Sequence, residues 1–157
     1  MKNFTFPKGF LWGTSTAAHQ VEGNCTNNNW YRWEKTEKKH DYRFISKKEN
    51  AGIACDHWNR YKEDIKLMKQ LGVNSYRFSI EWSKIEPNNN SFSQESLQHY
   101  SNVIDSLIAS NIKPMITLHH FTHPIWFENL GGFEKIANIK YFVRFAEKVF
   151  ECFHKKV

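Results

Sequence analysis

The sequence predicts an α/β fold in which three βα units build a parallel sheet. Three short apolar stretches, rich in β-branched and aromatic residues, alternate with three longer stretches whose apolar residues recur every three or four positions. Within the short stretches, apolar and polar residues do not alternate strictly. This pattern favours strands buried on both faces, as in parallel sheets. With 157 residues, 40% of them apolar, the chain is long enough to bury the core that such a sheet needs.

The first unit opens with FLWGTSTAAH, residues 10–19, which is apolar at first and then small and hydroxylated. This change predicts a buried strand that opens into a pocket, closed by residues 20–23. Residues 24–52 are rich in Asn, Lys and Glu around Trp30, Tyr31 and Trp33. We therefore predict a long loop with an aromatic anchor and no core element there.

The first helix is predicted to begin after Asp56, a residue type that caps helices, and to end at Gly72. Its apolar positions have helical spacing: Trp58, Tyr61, Ile65, Met68 and Leu71. The following VNSYRFSI, residues 73–80, predicts the second strand, and residues 81–92 predict a polar loop.

The second helix repeats the spacing at Leu97, Tyr100, Val103, Ile104, Leu107 and Ile108. Asn111 is predicted to end this helix. The following KPMITLHH, residues 113–120, predicts the third strand. Asn138 is in position to cap the last helix. That helix carries its own apolar stripe: Phe142, Phe145, Ala146, Val149, Phe150 and Phe153.

Two architectures contain such units. A closed barrel of eight βα units takes about 250 residues, so this chain would hold only part of one. A small doubly wound domain is the alternative, but the first βα turn has no glycine-rich loop of the kind that binds phosphates.

Composition narrows the function classes. The formal charge is +6, but the lysines are scattered, so we do not expect a nucleic-acid partner. No apolar run approaches the roughly 18 residues of a membrane span, and the start MKNFTFPKGFLWG does not resemble a signal peptide, so we expect a cytoplasmic protein without a membrane partner. Three widely spaced cysteines support neither a disulfide framework nor a metal knuckle.

Polar and aromatic side chains are concentrated where the predicted strands end, the edge at which parallel barrels bind ligands. They are His19, Gln20 and Glu22 at the end of the first strand, Arg77, Ser79, Glu81 and Trp82 around the end of the second, and His119, His120, Phe121 and His123 at the end of the third. Amides and imidazoles donate and accept hydrogen bonds, and aromatic faces stack on the C–H face of a pyranose. The combination favours a sugar pocket.

Two other interpretations compete at individual residues. A metal site at His119, His120 and His123 is disfavoured because adjacent strand residues point to opposite faces. His120 alone could instead be a hydrogen-bonded core histidine. Arg77, predicted to lie in a buried strand, needs an anionic partner, for which Glu22 and Glu81 are the candidates within this chain.

Three segments together carry a resemblance to a known family. FPKGFLWGTSTAAHQVEG, DHWNRYKEDIKLMKQLGVNSYRFSIEWSKIEP and TLHHFTHPIWF occur in the order and at the spacing of the amino-terminal part of the family 1 glycoside hydrolases. That family includes β-glucosidases, β-galactosidases and 6-phospho-β-glycosidases. The resemblance implies that residues 1–157 are the amino-terminal part of a single (β/α)8 barrel domain that hydrolyses β-glycosides with retention, without a cofactor or a metal.

The resemblance also assigns residues. Gln20 and His120 match the family's ligands for the glycone hydroxyls, and Phe121 stands where the family often has Trp. Arg77 matches the arginine that pairs with the nucleophilic carboxylate.

The family's two catalytic glutamates lie in Asn-Glu-Pro and Thr-Glu-Asn-Gly motifs, and neither string occurs here. Retaining hydrolysis needs two carboxyl groups about 5 Å apart. We therefore expect a fragment that carries part of a β-glycoside site, is inactive alone and has the rest of the barrel as its partner. The alternative is a noncatalytic sugar-binding or interaction module.

Overall fold

The structure, a computed structural model, describes residues 4–35 and 49–157. Its sheet has three parallel strands, β1 (Gly13–Thr16), β2 (Ser75–Ser79) and β3 (Lys113–Thr117), in the order β1-β2-β3. Ser75 in the central strand pairs with Gly13 on one side and with Lys113 on the other. The parallel sheet of three predicted strands is confirmed.

Helices connect and cover these strands. In the described residues they are α1 (Ala18–Val21), α2 (Asn29–Lys35), α3 (His57–Leu71), α4 (Trp82–Ile85), α5 (Gln94–Ala109), α6 (Ile125–Asn129) and α7 (Ile139–Phe153). Two 3-10 turns, Gly132–Glu134 and Ile136–Asn138, precede α7. The three long helices α3, α5 and α7 follow the three strands as predicted, and no helix in the described ranges is long and apolar enough to cross a membrane.

The core lies between the sheet and the long helices. Tyr76 and Phe78 of β2 pack in one apolar cluster with Ile65 of α3, Leu107 of α5 and Phe145 of α7. Burial of this cluster supplies the main driving force for folding.

The opposite face of the sheet is open in the described structure. Ser15, Arg77 and Met115 stand side by side in the strand register, and all three are exposed. Since successive side chains alternate between faces, this row lies opposite the helix-covered side chains of Tyr76 and Phe78. The prediction that the strands are buried on both faces is therefore wrong for the described residues.

Several local predictions also need correction. The first strand ends at Thr16, and Gln20 lies in α1 rather than in the strand. Residues 81–92 are not simply a polar loop, because α4 lies within them and Trp82 is only 1% exposed. The segment predicted as a loop, residues 24–52, contains α2, and residues 36–48 of it lie outside the described residues.

The predicted caps are only partly right. Gly72 ends α3 with a left-handed φ of 80°, as expected. Asp56 and Asn138 occupy the N-cap positions of α3 and α7, but neither side chain accepts a hydrogen bond from the helix backbone. Asn138 instead donates from Nδ2 to the carbonyls of Leu130 and Gly132.

Candidate functional site

The parallel register places the carboxyl ends of all three strands at one edge of the sheet. Thr16 pairs with Phe78 near the end of β1, and Ser79 pairs with Thr117 at the end of β2 and β3. Short segments follow each end: α1 after β1, α4 after β2, and residues 118–124 after β3. The side chains of these segments form the candidate site.

The predicted substrate-binding residues, and the arginine predicted to pair with the nucleophile, are accessible in this position. Gln20, Arg77 and Phe121 are exposed, and His120 is half-buried. Among the described residues, no side-chain hydrogen bond or ion pair involves Gln20, Arg77 or His120. Their polar groups are therefore free to contact another molecule.

Phe121 has an unusual backbone conformation. Its φ of 67° lies in the left-handed region, which a bulky side chain rarely adopts. The Thr122 amide donates to the His120 carbonyl at 2.9 Å, which closes a tight turn around Phe121. The turn leaves the Phe121 side chain 59% exposed, with the His120 ring 4.8 Å away between centroids.

Trp30 of α2 lies against Phe121. The two rings are almost parallel, 7° apart, with their centroids separated by 5.5 Å. This is the offset-stacked geometry that aromatic pairs prefer. The Trp30 ring also meets the His19 ring edge to face at 5.6 Å.

Two asparagines join α2 to the segment after β3. The Asn29 side chain accepts from the His123 amide at 2.9 Å and donates to the Phe121 carbonyl at 3.3 Å. Asn28 pairs with Pro124 in an antiparallel bridge and is fully buried. Residues 94 positions apart are thereby fixed beside one another.

Asn28 also determines which ring nitrogen of His19 donates a hydrogen bond. The side-chain oxygen of Asn28 accepts from the backbone amide of Tyr31, so the side-chain NH2 of Asn28 donates to His19 Nδ1, at 3.0 Å. The opposite ring nitrogen, Nε2, then donates to Glu34, also at 3.0 Å. The exit from β1 is held in place by this chain of bonds.

A buried polar network lies close to the strand ends. Glu22 accepts from the Tyr100 hydroxyl at 2.8 Å and from Lys84 Nζ at 2.9 Å. Tyr100 in turn accepts from the Glu81 amide, and the Glu81 carboxylate accepts from Thr122 Oγ1 at 2.9 Å. The network links residues that follow β1, β2 and β3, through side chains and the backbone amide of Glu81.

Burial raises the pKa of Glu22 even though the Lys84 ammonium and the Tyr100 hydroxyl act in the opposite direction. Burial also raises the pKa of the Tyr100 phenol, with the Glu22 carboxylate adding to the effect. Both acids are therefore harder to ionise than in water. The Tyr100 hydroxyl and the Glu22 carboxylate are hydrogen-bonded to each other and do not point toward the open face of the sheet.

The predicted partners of Arg77 are wrong. Glu22 and Glu81 are buried and already hydrogen-bonded within the network, whereas Arg77 lies on the open face of the sheet. An exposed guanidinium needs no partner within the chain, so the premise of a buried arginine fails as well.

The remaining histidines form a separate group. The rings of His119 and His123 are nearly parallel, 6.1 Å apart, and His123 Nε2 lies 2.6 Å from Glu128. Burial lowers the pKa of His119, and the neighbouring His123 and His120 add to the effect. Within residues 4–35 and 49–157 no group of three His, Cys, Asp or Glu side chains has the geometry to hold a metal ion.

Several residues of this region were missed by the sequence analysis. Tyr100 reads as one apolar position of a helix stripe, and nothing local reveals that its hydroxyl bonds Glu22. Asn28 and Asn29 belong to a run of three asparagines within a predicted loop. Asparagine is common in loops, so the run alone carries no signal for a long-range clamp.

Comparison with known proteins gives a consistent result. Residues 2–157 match the family model of glycosyl hydrolase family 1. Beta-glucosidase A of Acetivibrio thermocellus is 36% identical over 157 residues, and 6-phospho-beta-glucosidase of Bacillus subtilis is 35% identical over 164 residues. These alignments cover 96% and 99% of this chain, but only 34% of either relative, so the chain spans about a third of their length.

Solved structures agree. A beta-glycosidase from Pyrococcus horikoshii superimposes with a TM-score of 0.84 at 43% identity, over 96% of this chain and 34% of that one. This likeness confirms the predicted fold class, in which the three βα units are those of an incomplete (β/α)8 barrel. On the match of the family model across residues 2–157, the chain belongs to glycosyl hydrolase family 1.

Proposed function

We propose that this chain supplies part of the glycone-binding wall of a retaining β-glycosidase that acts on terminal β-linked glucosides or galactosides. Gln20 and His120 bind the sugar hydroxyls, and the Phe121 ring stacks on the sugar. Arg77 pairs with the nucleophilic carboxylate, which this chain does not provide. The partner that completes the site is the remaining part of the barrel.

One observation carries this proposal. At the carboxyl ends of the strands the buried carboxylates Glu22 and Glu81 already accept hydrogen bonds, from Tyr100 and Thr122 respectively. In contrast, the side chains of Gln20, Arg77 and His120 make no hydrogen bond to another described residue. A surface with donors, acceptors and an aromatic face suits a neutral polyol. A cation on the open sheet face suits a carboxylate arriving from elsewhere.

The chain alone should therefore not hydrolyse glycosides. Retaining hydrolysis forms a covalent bond to one carboxylate while a second carboxyl group protonates the leaving oxygen. We expect no release of aglycone from an aryl β-glucoside by the purified chain. Turnover that is abolished by Glu22→Gln or Glu81→Gln would contradict the proposal.

The binding roles require a completed barrel. We would join residues 1–157 to the part of the Acetivibrio beta-glucosidase A that lies beyond the aligned third, and measure hydrolysis of an aryl β-glucoside. Hydroxyl contacts that strengthen in the oxocarbenium-like transition state contribute several kcal/mol between them. Gln20→Ala and His120→Ala should each lower kcat/KM by about tenfold or more.

Matched controls are available on exposed helix positions. Gln98→Ala on α5 and His154→Ala after α7 remove the same side-chain types far along the chain from the strand ends. Both should leave kcat/KM as in the parent fusion. If Gln20→Ala or His120→Ala behaves like its control, that residue does not bind the substrate.

A further inference from the structure

Trp30 lies outside the residues assigned to sugar binding, yet its ring stacks on the ring of one of them, Phe121. Its indole covers one face of the Phe121 ring in a parallel stack, with centroids 5.5 Å apart. Phe121 is nevertheless 59% exposed, so it retains accessible surface on which a sugar can stack. The arrangement is a two-ring platform in which Trp30 is the half-buried lower layer.

The platform holds a strained backbone in place. A phenylalanine with a φ of 67° is costly, and such conformations persist where the surroundings over-determine them. Two contacts from α2 do so here: the Trp30 ring on the side chain, and the Asn29 amide group on the Phe121 carbonyl. Both come from consecutive residues at the start of α2.

Trp30 itself is held from the other side of the site. Its ring meets the edge of His19, which is 4% exposed and hydrogen-bonded through both ring nitrogens, to Asn28 and Glu34. His19 directly precedes Gln20 in α1. Trp30 thus stands between the segment that carries Gln20 and the turn that carries His120 and Phe121.

From this geometry we propose that Trp30 is a positioning residue of the sugar site, which sets the orientation of the Phe121 ring and the spacing between Gln20 and His120. This inference rests on the proposed function, because it takes Phe121 to be a sugar-stacking surface. A structural role alone would reduce the amount of folded protein. A positioning role changes the affinity of the folded protein for its substrate.

The first test follows the ring pair itself in the 157-residue chain. Phenylalanine is replaced biosynthetically by 4-fluorophenylalanine, and the Phe121 fluorine resonance is assigned by its loss in Phe121→Leu. Trp30→Ala should shift that resonance, because the ring current of the indole is removed. Tyr31→Ala, which removes a neighbouring aromatic ring of α2, should leave that resonance unshifted. An unmoved resonance in Trp30→Ala would overturn the proposal, whatever the activity of the protein.

The second test uses the fusion with the remaining part of the Acetivibrio enzyme and an aryl β-glucoside. Trp30→Ala should raise KM about three- to tenfold, in line with the usual contribution of an aromatic pair, with a smaller change in kcat. Trp30→Phe keeps a ring in the stack and should restore KM to within about twofold of the parent.

A double-mutant cycle separates positioning from folding. In the Phe121→Ala background, Trp30→Ala should change KM by less than about twofold, because its effect passes through the missing ring. Additive effects, or an unchanged KM in Trp30→Ala, would overturn the proposal. If the parent fusion shows no hydrolysis at all, the proposed function fails, and the fluorine resonance still decides whether Trp30 positions Phe121.

Discussion

His99 of α5 is held where a positive charge is costly. Its ring stacks on Trp58 at 3.7 Å, and the Lys84 ammonium lies 3.8 Å from the centre of the same indole. Burial lowers the pKa of His99 from 6.5 to about 4, and Lys84 and His57 add to the effect. The folded protein therefore keeps this imidazole neutral at a pH where a free one is protonated.

This makes stability depend on pH. Between pH 6.5 and about 4 the unfolded chain takes up a proton that folded His99 does not. Stability contributed by the neutral ring is thus present above pH 6.5 and is lost as the pH falls toward 4. His99→Phe keeps a ring on Trp58, so the free energy of unfolding should fall less steeply with acidification in this variant.

Urea unfolding at several pH values across that window checks the prediction, with His154→Phe as the exposed control. The slope of stability against pH should be flatter only for His99→Phe. Equal slopes for the parent and His99→Phe would mean that His99 titrates alike in the folded and unfolded chain.

Among the elements, α5 has a well-formed start. Ser93 at its N-cap accepts a hydrogen bond from the Ser96 amide at 3.1 Å, which satisfies one of the donors left free at a helix end. Asp56 at the same position of α3 makes no such bond, and its φ of 55° is one that glycine adopts without strain.

We therefore expect Ser93→Ala to cost about 1 kcal/mol of stability and Asp56→Gly to cost clearly less. Chemical denaturation at low protein concentration measures both. An equal loss in the two variants would show that capping does not distinguish these helices.

The elements also show which features sequence reasoning could find. The stripes of α3, α5 and α7 were predictable because a helix of fifteen or sixteen residues repeats its apolar spacing several times. The four residues of α4 are too few to show a period. Trp82 there is surrounded by charged and hydroxylated neighbours in sequence, and only its packing on Phe127 and Phe145 reveals a core residue.

The candidate site, too, has features that sequence reasoning could find and features that it could not. Gln20, His120 and Phe121 could be proposed because each lies at the end of a predicted strand, and their binding roles stay predictions. The exposure of Arg77 was missed because both faces of the three-stranded sheet were assumed to be buried. The contact between Trp30 and Phe121 joins residues far apart in sequence, and no local pattern encodes it.

At the scale of the whole molecule, the described structure exposes large apolar side chains in several places, two of which are rich in aromatic rings. One is the aromatic group Phe6, Phe10 and Trp12 before β1, whose rings lie 4.5 to 4.9 Å apart. The other is the outer side of α7, where Phe150 is 67% exposed. In addition, β1 and β3 each pair with β2 alone among the described strands, which leaves two open edges.

We expect the isolated chain to self-associate, because open strand edges and apolar patches promote association more strongly than the charge of +6 opposes it. Sedimentation velocity should show a mean mass that rises with concentration. A monodisperse monomer with a sharp thermal transition would instead identify a self-sufficient domain and would favour the noncatalytic sugar-binding alternative.

The clamp between Asn29 and His123 has a consequence for the order of events in the cell. A protein is made from its amino end, so α2 leaves the ribosome while the residues that it will hold have not yet been translated. Contacts between such distant positions also form late in folding, since a long loop must close first. The proposed sugar-binding wall is therefore assembled only after the third strand has emerged, and during much of synthesis Trp30 is an exposed aromatic residue without its partner.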